Sequence, residues 1–422
     1  MKKTHPFIAL QHRNFRLLWF GLLISMSGSM MQSAAILWHI SLLAPPGQKG
    51  LALGLVGLVR VVPIIIFSLI SGVVADALDR RKLMLITQGG MALFASALAL
   101  ITFSGLNALW PVYLLAGLMA AVGTFDNPAR ASLFPNLVPR EHLPNAISLN
   151  TILFQAAAVL GPSLAGITIA WFGVWWVYAI NAVSFVAVIV SLLMMRDVPR
   201  HAPESRRDIS LKAALEGLRF VFAAPLIRST MILDFFATFF SSATALLPIF
   251  AQDILRVGAH GFGWLYAAPS VGAVLASVLM VRLVDRIQRR GATLLWAVVG
   301  YGAATVAFGL SRNFWLTFLC LALTGATDTV SMVMRNIVRQ LTTPDDLRGR
   351  MTSVNMIFFM GGPQLGEFEA GAVANWIGAP LSVVTGGLGC LLATAWVALR
   401  TPTLRNYRRD DVALAPQGAA AD

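Results

Sequence analysis

The stretch Gly72-Val-Val-Ala-Asp76-Ala-Leu-Asp79-Arg80-Arg81-Lys82 decides how the rest of the chain is read. Long apolar runs flank it on both sides, so it reads as a tight turn between two membrane helices. Gly72 lets two helix backbones approach closely, as small residues do in membranes. Asp76 is a carboxylate near the end of an apolar helix, a costly place without a partner. Arg80, Arg81 and Lys82 put positive charge where a cytoplasmic loop carries it.

The same reading extends along the whole chain. Of its 422 residues 57% are hydrophobic and only 12% charged, and the mean hydropathy is +0.73. A soluble domain carries about 25% charged residues. Apolar runs of about twenty residues, the thickness of a bilayer core, recur from end to end. The expected fold class is an all-α membrane protein of twelve transmembrane helices, with no stretch left for a sizeable soluble domain. A net charge of +13 raises nucleic acid as a partner, but the basic residues sit in short loops between spans, so the bilayer is the expected partner and nucleic acid is not. Cys320 and Cys390 lie inside apolar segments and read as packing residues, not as a disulfide or a metal site. The first apolar run is too long for a signal peptide and reads as a retained span.

Residues 1–13 are a basic lead. Six spans fill 14–195, and the second carries Pro63. Residues 196–224 form the longest polar stretch, and Ile209 to Phe220 has the apolar spacing of an amphipathic helix lying on the membrane surface. Six more spans fill 226–399, with span 7 expected over Leu226 to Ala251 and span 10 over Phe314 to Val333. A tail over 400–422, rich in Ala, Pro, Gln and Gly at its end, is expected to be disordered. Twelve spans put both termini on one side. That side carries 28 of the 32 Lys and Arg residues and the other side 3, with Arg60 left inside span 2. The positive-inside rule then places both termini in the cytoplasm.

The two halves repeat. With an offset of about 205 to 209 residues, Asp76, Arg80 and Arg81 fall on Asp285, Arg289 and Arg290, Arg130 falls on Arg335, and Asn150 on Asn355. A duplicated six-span unit joined by a basic linker implies two pseudo-symmetric bundles related by an axis along the membrane normal. Transporters built this way hold their solute near the midplane and rock the two bundles alternately.

The order Gly72-x-x-x-Asp76-x-x-x-Arg80-Arg81 after the second span resembles the signature loop of the major facilitator superfamily. Three passages are similar to its enterobactin-exporter and macrolide-efflux branch: Arg13-Asn-Phe-Arg-Leu-Leu-Trp, the stretch Asp208 to Arg228, and Gly263-Trp-Leu-Tyr-Ala-Ala. The second-half loop departs from the signature, with Val281 for the glycine and Gln288 for the counterpart of Asp79. Gly161-Pro162-Ser-Leu-Ala-Gly166 resembles in part the Gly-Pro motif of proton-coupled exporters, and a bend with close packing is expected there. The resemblance implies a secondary transporter of a bacterial inner membrane, not an enzyme, needing no cofactor and acting as a monomer. Its leading function is export of an amphipathic small molecule in exchange for protons. The alternatives are uptake by proton symport, or a membrane sensor without transport. It also implies a gate in which Gly72, Asp76, Arg80, Arg81, Asp126 and Arg130 take part. Asp76 would face the start of span 11 near Gly349, where the helix dipole favours a carboxylate, and Arg81 would pair with Asp126. No phosphate-loop or His-Glu-x-x-His pattern is present to support ATP hydrolysis or metalloprotease chemistry.

Polar groups inside spans cost a few kcal/mol each at the bilayer centre and are therefore the site candidates. Arg60 cannot shed its proton and needs an anion, a substrate acid or a wet cavity. Asp234 in span 7 can titrate if desolvated. Glu367 and Glu369 in span 11 point about 200° apart on a helix, so at least one faces the bundle. Glu367, following the Gly362-Pro363 pair, is the first choice for a proton-carrying carboxylate, and Gln32 is a weaker candidate for substrate contact.

Overall fold

The computed structural model describes residues 7–196, 219, 221–344 and 347–409. The surface helix expected over 209–220 falls, apart from Arg219, outside the described residues. Within them the backbone closes its hydrogen bonds inside helices, as a bilayer demands. Among the described residues there are twelve long helices: α1 (Arg13–Leu43), α2 (Lys49–Ala77), α3 (Arg80–Phe103), α4 (Leu109–Leu133), α5 (Leu143–Phe172), α6 (Val174–Met194), α7 (Pro225–Ser241), α8 (Gly258–Leu283), α9 (Arg290–Leu310), α10 (Phe314–Thr342), α11 (Arg348–Ile377) and α12 (Ala379–Arg400), followed by a short α13 (Pro402–Asn406). Eleven helical stretches, counting α7 with the turns that follow it to Ile254, are long and apolar enough to cross a membrane. The remaining one, α11, is 30 residues long but carries Gln364, Glu367, Glu369 and Asn375.

The chain forms two compact units, one within residues 1–207 together with 244–267, the other within 208–243 together with 268–422. In the first, α1 packs on α5 and α6, α3 on α4 and α6, and α2 on α4. In the second, α7 packs on α11 and α12, and α9 on α10 and α12, which is the same order shifted by six helices. The turns repeat as well. Gly173 joins α5 to α6 with φ +90° and Gly378 joins α11 to α12 with φ +87°, 205 residues apart in the sequence. A side chain is disfavoured at such φ values, so both positions take glycine.

Three expectations are corrected. Span 7 is not continuous: α7 stops at Ser241, Ser242 and Ala243 leave the helix, and the chain resumes as a 3₁₀ turn (Thr244–Leu246), one α turn (Leu247–Ile249) and a π turn (Phe250–Ile254). Serine hydroxyls compete for backbone partners, and Pro248 has no N–H to give the carbonyl of residue 244. Span 10 does not end at Val333 but continues to Thr342, because acidic side chains neutralise the arginines on its last turns. The tail is ordered at its start: Leu404 in α13 is fully buried among apolar residues of α7, α9 and α12. The Gly291 N–H donates to the Tyr407 carbonyl at 3.1 Å and the Arg409 N–H to the Gln288 carbonyl at 2.9 Å. Cys320 and Cys390 are free and buried.

Candidate functional site

The turn between α2 and α3 is built by a cap. Asp79 precedes α3, and its Oδ1 accepts the N–H groups of Arg81 at 2.9 Å and Lys82 at 3.2 Å, satisfying two donors that a helix start leaves open. The Arg80 guanidinium donates to the Ser132 carbonyl at 3.1 Å, tying α3 to α4. The Arg81 guanidinium donates to the Leu193 carbonyl of α6 at 3.2 Å. The expected Arg81–Asp126 pair is therefore not formed. Asp126, 4% exposed, accepts instead from Thr87 Oγ1 at 2.8 Å and Gln88 Nε2 at 3.0 Å. Those residues lie six and seven positions beyond Arg81 on α3, about 9 to 10 Å along the axis, out of step with its guanidinium. Arg130 donates to Asn127 Oδ1 at 2.6 Å and reaches Met26 Sδ at 3.4 Å. Gly72 and Asp76 fall on the last two turns of α2, and the Asp76 side chain, with its expected contact near Gly349, lies outside the described residues.

The second-half loop is held differently. Asp285 sits in a short 3₁₀ turn (Val284–Arg286), and its carbonyl accepts from the Arg409 guanidinium. Arg289 precedes α9 without a side-chain cap, since Gln288 stands where Asp79 would. The Tyr407 carbonyl, bonded to the Gly291 N–H, takes over part of that work. Arg290 is buried.

Inside the first unit, Gln32 is fully used. Its Oε1 accepts from Asn181 Nδ2 at 2.7 Å, its Nε2 meets Met119 Sδ at 2.7 Å, and Asn181 Oδ1 accepts from Ser184 Oγ at 3.0 Å. This amide network binds α1 to α4 and α6. Arg60 on α2 is half-buried. Among the described residues it makes no ion pair or hydrogen bond, although its charge reaches Tyr178. Gly161, Pro162 and Gly166 lie along α5. A Cβ on Gly166 would come within 2.8 Å of the Gly263 Cα, and one on Gly263 within 2.6 Å of the Pro162 carbonyl, so the backbones of α5 and the start of α8 touch. A crevice of about 440 Å³ lined by His39, Leu42, Leu43, Thr102, Asn107 and Val174 opens at the end of α1 remote from Arg13, and it gathers none of the charged candidates.

The second unit holds a chain of ion pairs. Asp234 on α7, 2% exposed, receives Arg335 Nη1 at 2.8 Å and Arg339 Nη2 at 3.6 Å. Arg335 also reaches Asp328 Oδ1 at 3.3 Å, and Arg339 donates to Asn355 Oδ1 on α11. Two carboxylates and two guanidiniums make the cluster neutral when all are ionised. Burying four charges costs several kcal/mol per ion unless partners repay it, and here they are arranged in alternation. Glu367 on α11 is buried and Glu369 half-buried. Among the described residues Glu369 pairs with no cation.

Across residues 4–417 the chain matches the model of a family described as transmembrane secretion effector. It belongs to that family. The chain is 27% identical over 424 residues to the enterobactin exporter EntS of Escherichia coli O1:K1, covering all of this chain and 97% of that one. Its fold is that of the major facilitator transporters. A bacterial homologue of the lysosomal transporter Spinster superposes with a TM-score of 0.73 at 14% identity, over 93% of this chain and 98% of that one. A bacterial homologue of ferroportin does so with 0.69 at 18%, over 94% and 99%.

Of the charges inside these helices, Asp234 is expected from the sequence and Asp328, Arg335 and Arg339 are not. Arg335 and Arg339 look like loop residues when charge alone ends a span. The signal that finds them is spacing: positions 328, 335 and 339 share one helix face to within about 20°.

Proposed function

We propose that this chain is a secondary transporter of a bacterial inner membrane that exports an amphipathic, siderophore-like small molecule in exchange for protons. The observation that carries the reading is the full-length similarity to an enterobactin exporter. The alternating Asp234–Arg335–Asp328 and Asp234–Arg339 pairs support ion coupling, since carboxylates kept inside membrane helices mark ion pathways and proton relays. Orientation with both termini in the cytoplasm is supported by loop charge. Moving Arg335 and Arg339 from loop to helix lowers 28 to 26 basic residues on that side, still against 3, so the positive-inside bias survives. In the gating role, Arg80 and Arg81 hold α3 to α4 and α6 through carbonyls, and Asp126 locks α4 to α3. Arg60, with no partner among the described residues, is the side chain proposed to meet an acidic group of the cargo, and the protein works as a monomer.

Inverted membrane vesicles test this. With an inward-acid pH gradient, a catecholate siderophore is expected to accumulate inside, and nigericin is expected to abolish the accumulation. Uptake that persists without a proton gradient would refute coupling. Accumulation only in right-side-out vesicles would reverse the direction.

A further inference from the structure

Asp328 occupies a place that needs explaining. Fourteen positions separate it from Phe314 at one end of α10 and fourteen from Thr342 at the other, so it stands about 21 Å from each end, at the middle of a helix long and apolar enough to cross a membrane. It is only half-buried, with 41% of its side chain accessible. A carboxylate there would be costly against hydrocarbon, which favours water at its open side. Asp234, by contrast, is sealed and held by two arginines.

We infer that Asp328 is the proton-exchanging carboxylate of this protein and that its ionisation controls the Arg335 arm. The inference rests on the proton-coupled reading above and adds the residue that carries it. The titratable groups facing Asp328 are Arg335 on its own helix, Asp234 on α7 and Tyr301 on α9. Cys390 on α12 shares the same electrostatic neighbourhood, and α8 meets α10 through Pro269 and Gly272. When Asp328 is ionised, two aspartates balance two arginines. A proton arriving from water forms an O–H bond on the Asp328 carboxyl and cancels its charge. Arg335 then keeps only Asp234, which it shares with Arg339, and one excess positive charge is left among side chains that are 2–4% exposed. A buried charge without its partner is strongly unfavourable. A second conformation that hydrates the cluster or supplies an anion relieves it, so proton binding shifts the balance between conformations. The Asp234 side chain is 3% exposed and touched by both arginines, so it lacks the open face that Asp328 presents. Glu367 is buried, and among the described residues Glu369 touches no cation whose release could report its charge.

The test reads protons directly. Purified full-length protein in detergent is titrated with acid while its infrared carboxyl C=O band is recorded, beside Asp328→Asn, Asp234→Asn, Glu367→Gln and Glu369→Gln. The band reporting reversible protonation is expected to vanish in Asp328→Asn, to survive in both glutamate variants, and to move in frequency in Asp328→Glu. The glutamate version keeps the test valid if the asparagine variant does not fold. A band that persists in Asp328→Asn, or remains unshifted in Asp328→Glu, overturns the assignment. Failure of the transport reading looks different: the Asp328 band would be present while vesicles show no proton-driven flux.

Discussion

Arg335 is the residue whose removal most directly probes the buried cluster. Arg335→Gln deletes the 2.8 Å pair with Asp234 and the 3.3 Å contact with Asp328. Removing one partner of a buried ion pair costs about 3–5 kcal/mol. Two features push the value to the low end. Asp234 keeps Arg339 at 3.6 Å, and Asp328 is open enough for water to solvate it. The expected loss is therefore about 3 kcal/mol, which for a unit of this size lowers the melting temperature by about 6–12 °C. The assay is apparent melting of the purified protein in one detergent at a fixed scan rate, for Arg335→Gln, Asp234→Asn and the double variant. Because both single changes break the same contact, the double variant is expected to lose at least 1 kcal/mol less than the sum of the two single losses, well beyond the about 0.3–0.5 kcal/mol within which independent sites add. Additive losses would refute the pairing, and so would a shift below about 2 °C for Arg335→Gln alone.

Further outcomes separate positions that look alike in the sequence. Gly263→Ala puts a methyl within 2.6 Å of the Pro162 carbonyl and is expected to lower yield and melting by an amount corresponding to about 1–3 kcal/mol. Gly123→Ala, with open space around it, is expected to be neutral or to gain about 0.5–1 kcal/mol of helix propensity. Asp79→Ala removes a helix cap and is expected to cost about 1 kcal/mol, whereas Gln288→Ala at the matching site is expected to cost nothing measurable in the same melting assay. Leu404→Asp, placing a charge in a fully buried position, is expected to prevent recovery of folded protein by size-exclusion chromatography. Arg60→Gln is expected to leave melting unchanged and to reduce cargo accumulation in vesicles, the reverse of a purely structural arginine.

Patterns that lipid enforces were legible from residues alone. The number of helices, the repeat and its period follow from apolar runs and from matched features such as Asp76 and Asp285, and the structure adds a pair the sequence reading passed over, the positive-φ turns at Gly173 and Gly378. Side-chain partners were less legible, because they depend on axial register between helices. Arg81 and Asp126 are both near the turn, but a rise of about 9 Å separates Arg81 from the level where Asp126 finds Thr87 and Gln88. Arg335 and Arg339 were misplaced for a related reason: an arginine ends an apolar run only if nothing neutralises it, and the carboxylate that does so lies about a hundred residues away on α7. The break after Ser241 was written in Ser241-Ser242 and Pro248 but hidden by the hydrophobicity around it. Gln32, a candidate for cargo contact, is occupied by Asn181 and Met119, a commitment that only three-dimensional packing reveals.

The allotment of residues 244–267 to the first unit reaches back to how the polypeptide is made. A ribosome that has finished the sixth span has not yet delivered everything the amino-terminal bundle packs with. That piece begins some fifty residues later, at the end of the seventh span and the opening of the eighth. Severing the gene inside the central linker should therefore yield an amino-terminal fragment that is short of its own material and slow to mature. A cut placed after residue 267 would hand each fragment a different share of α8, so co-expressed fragments divided at the two places should differ in how readily they reassemble.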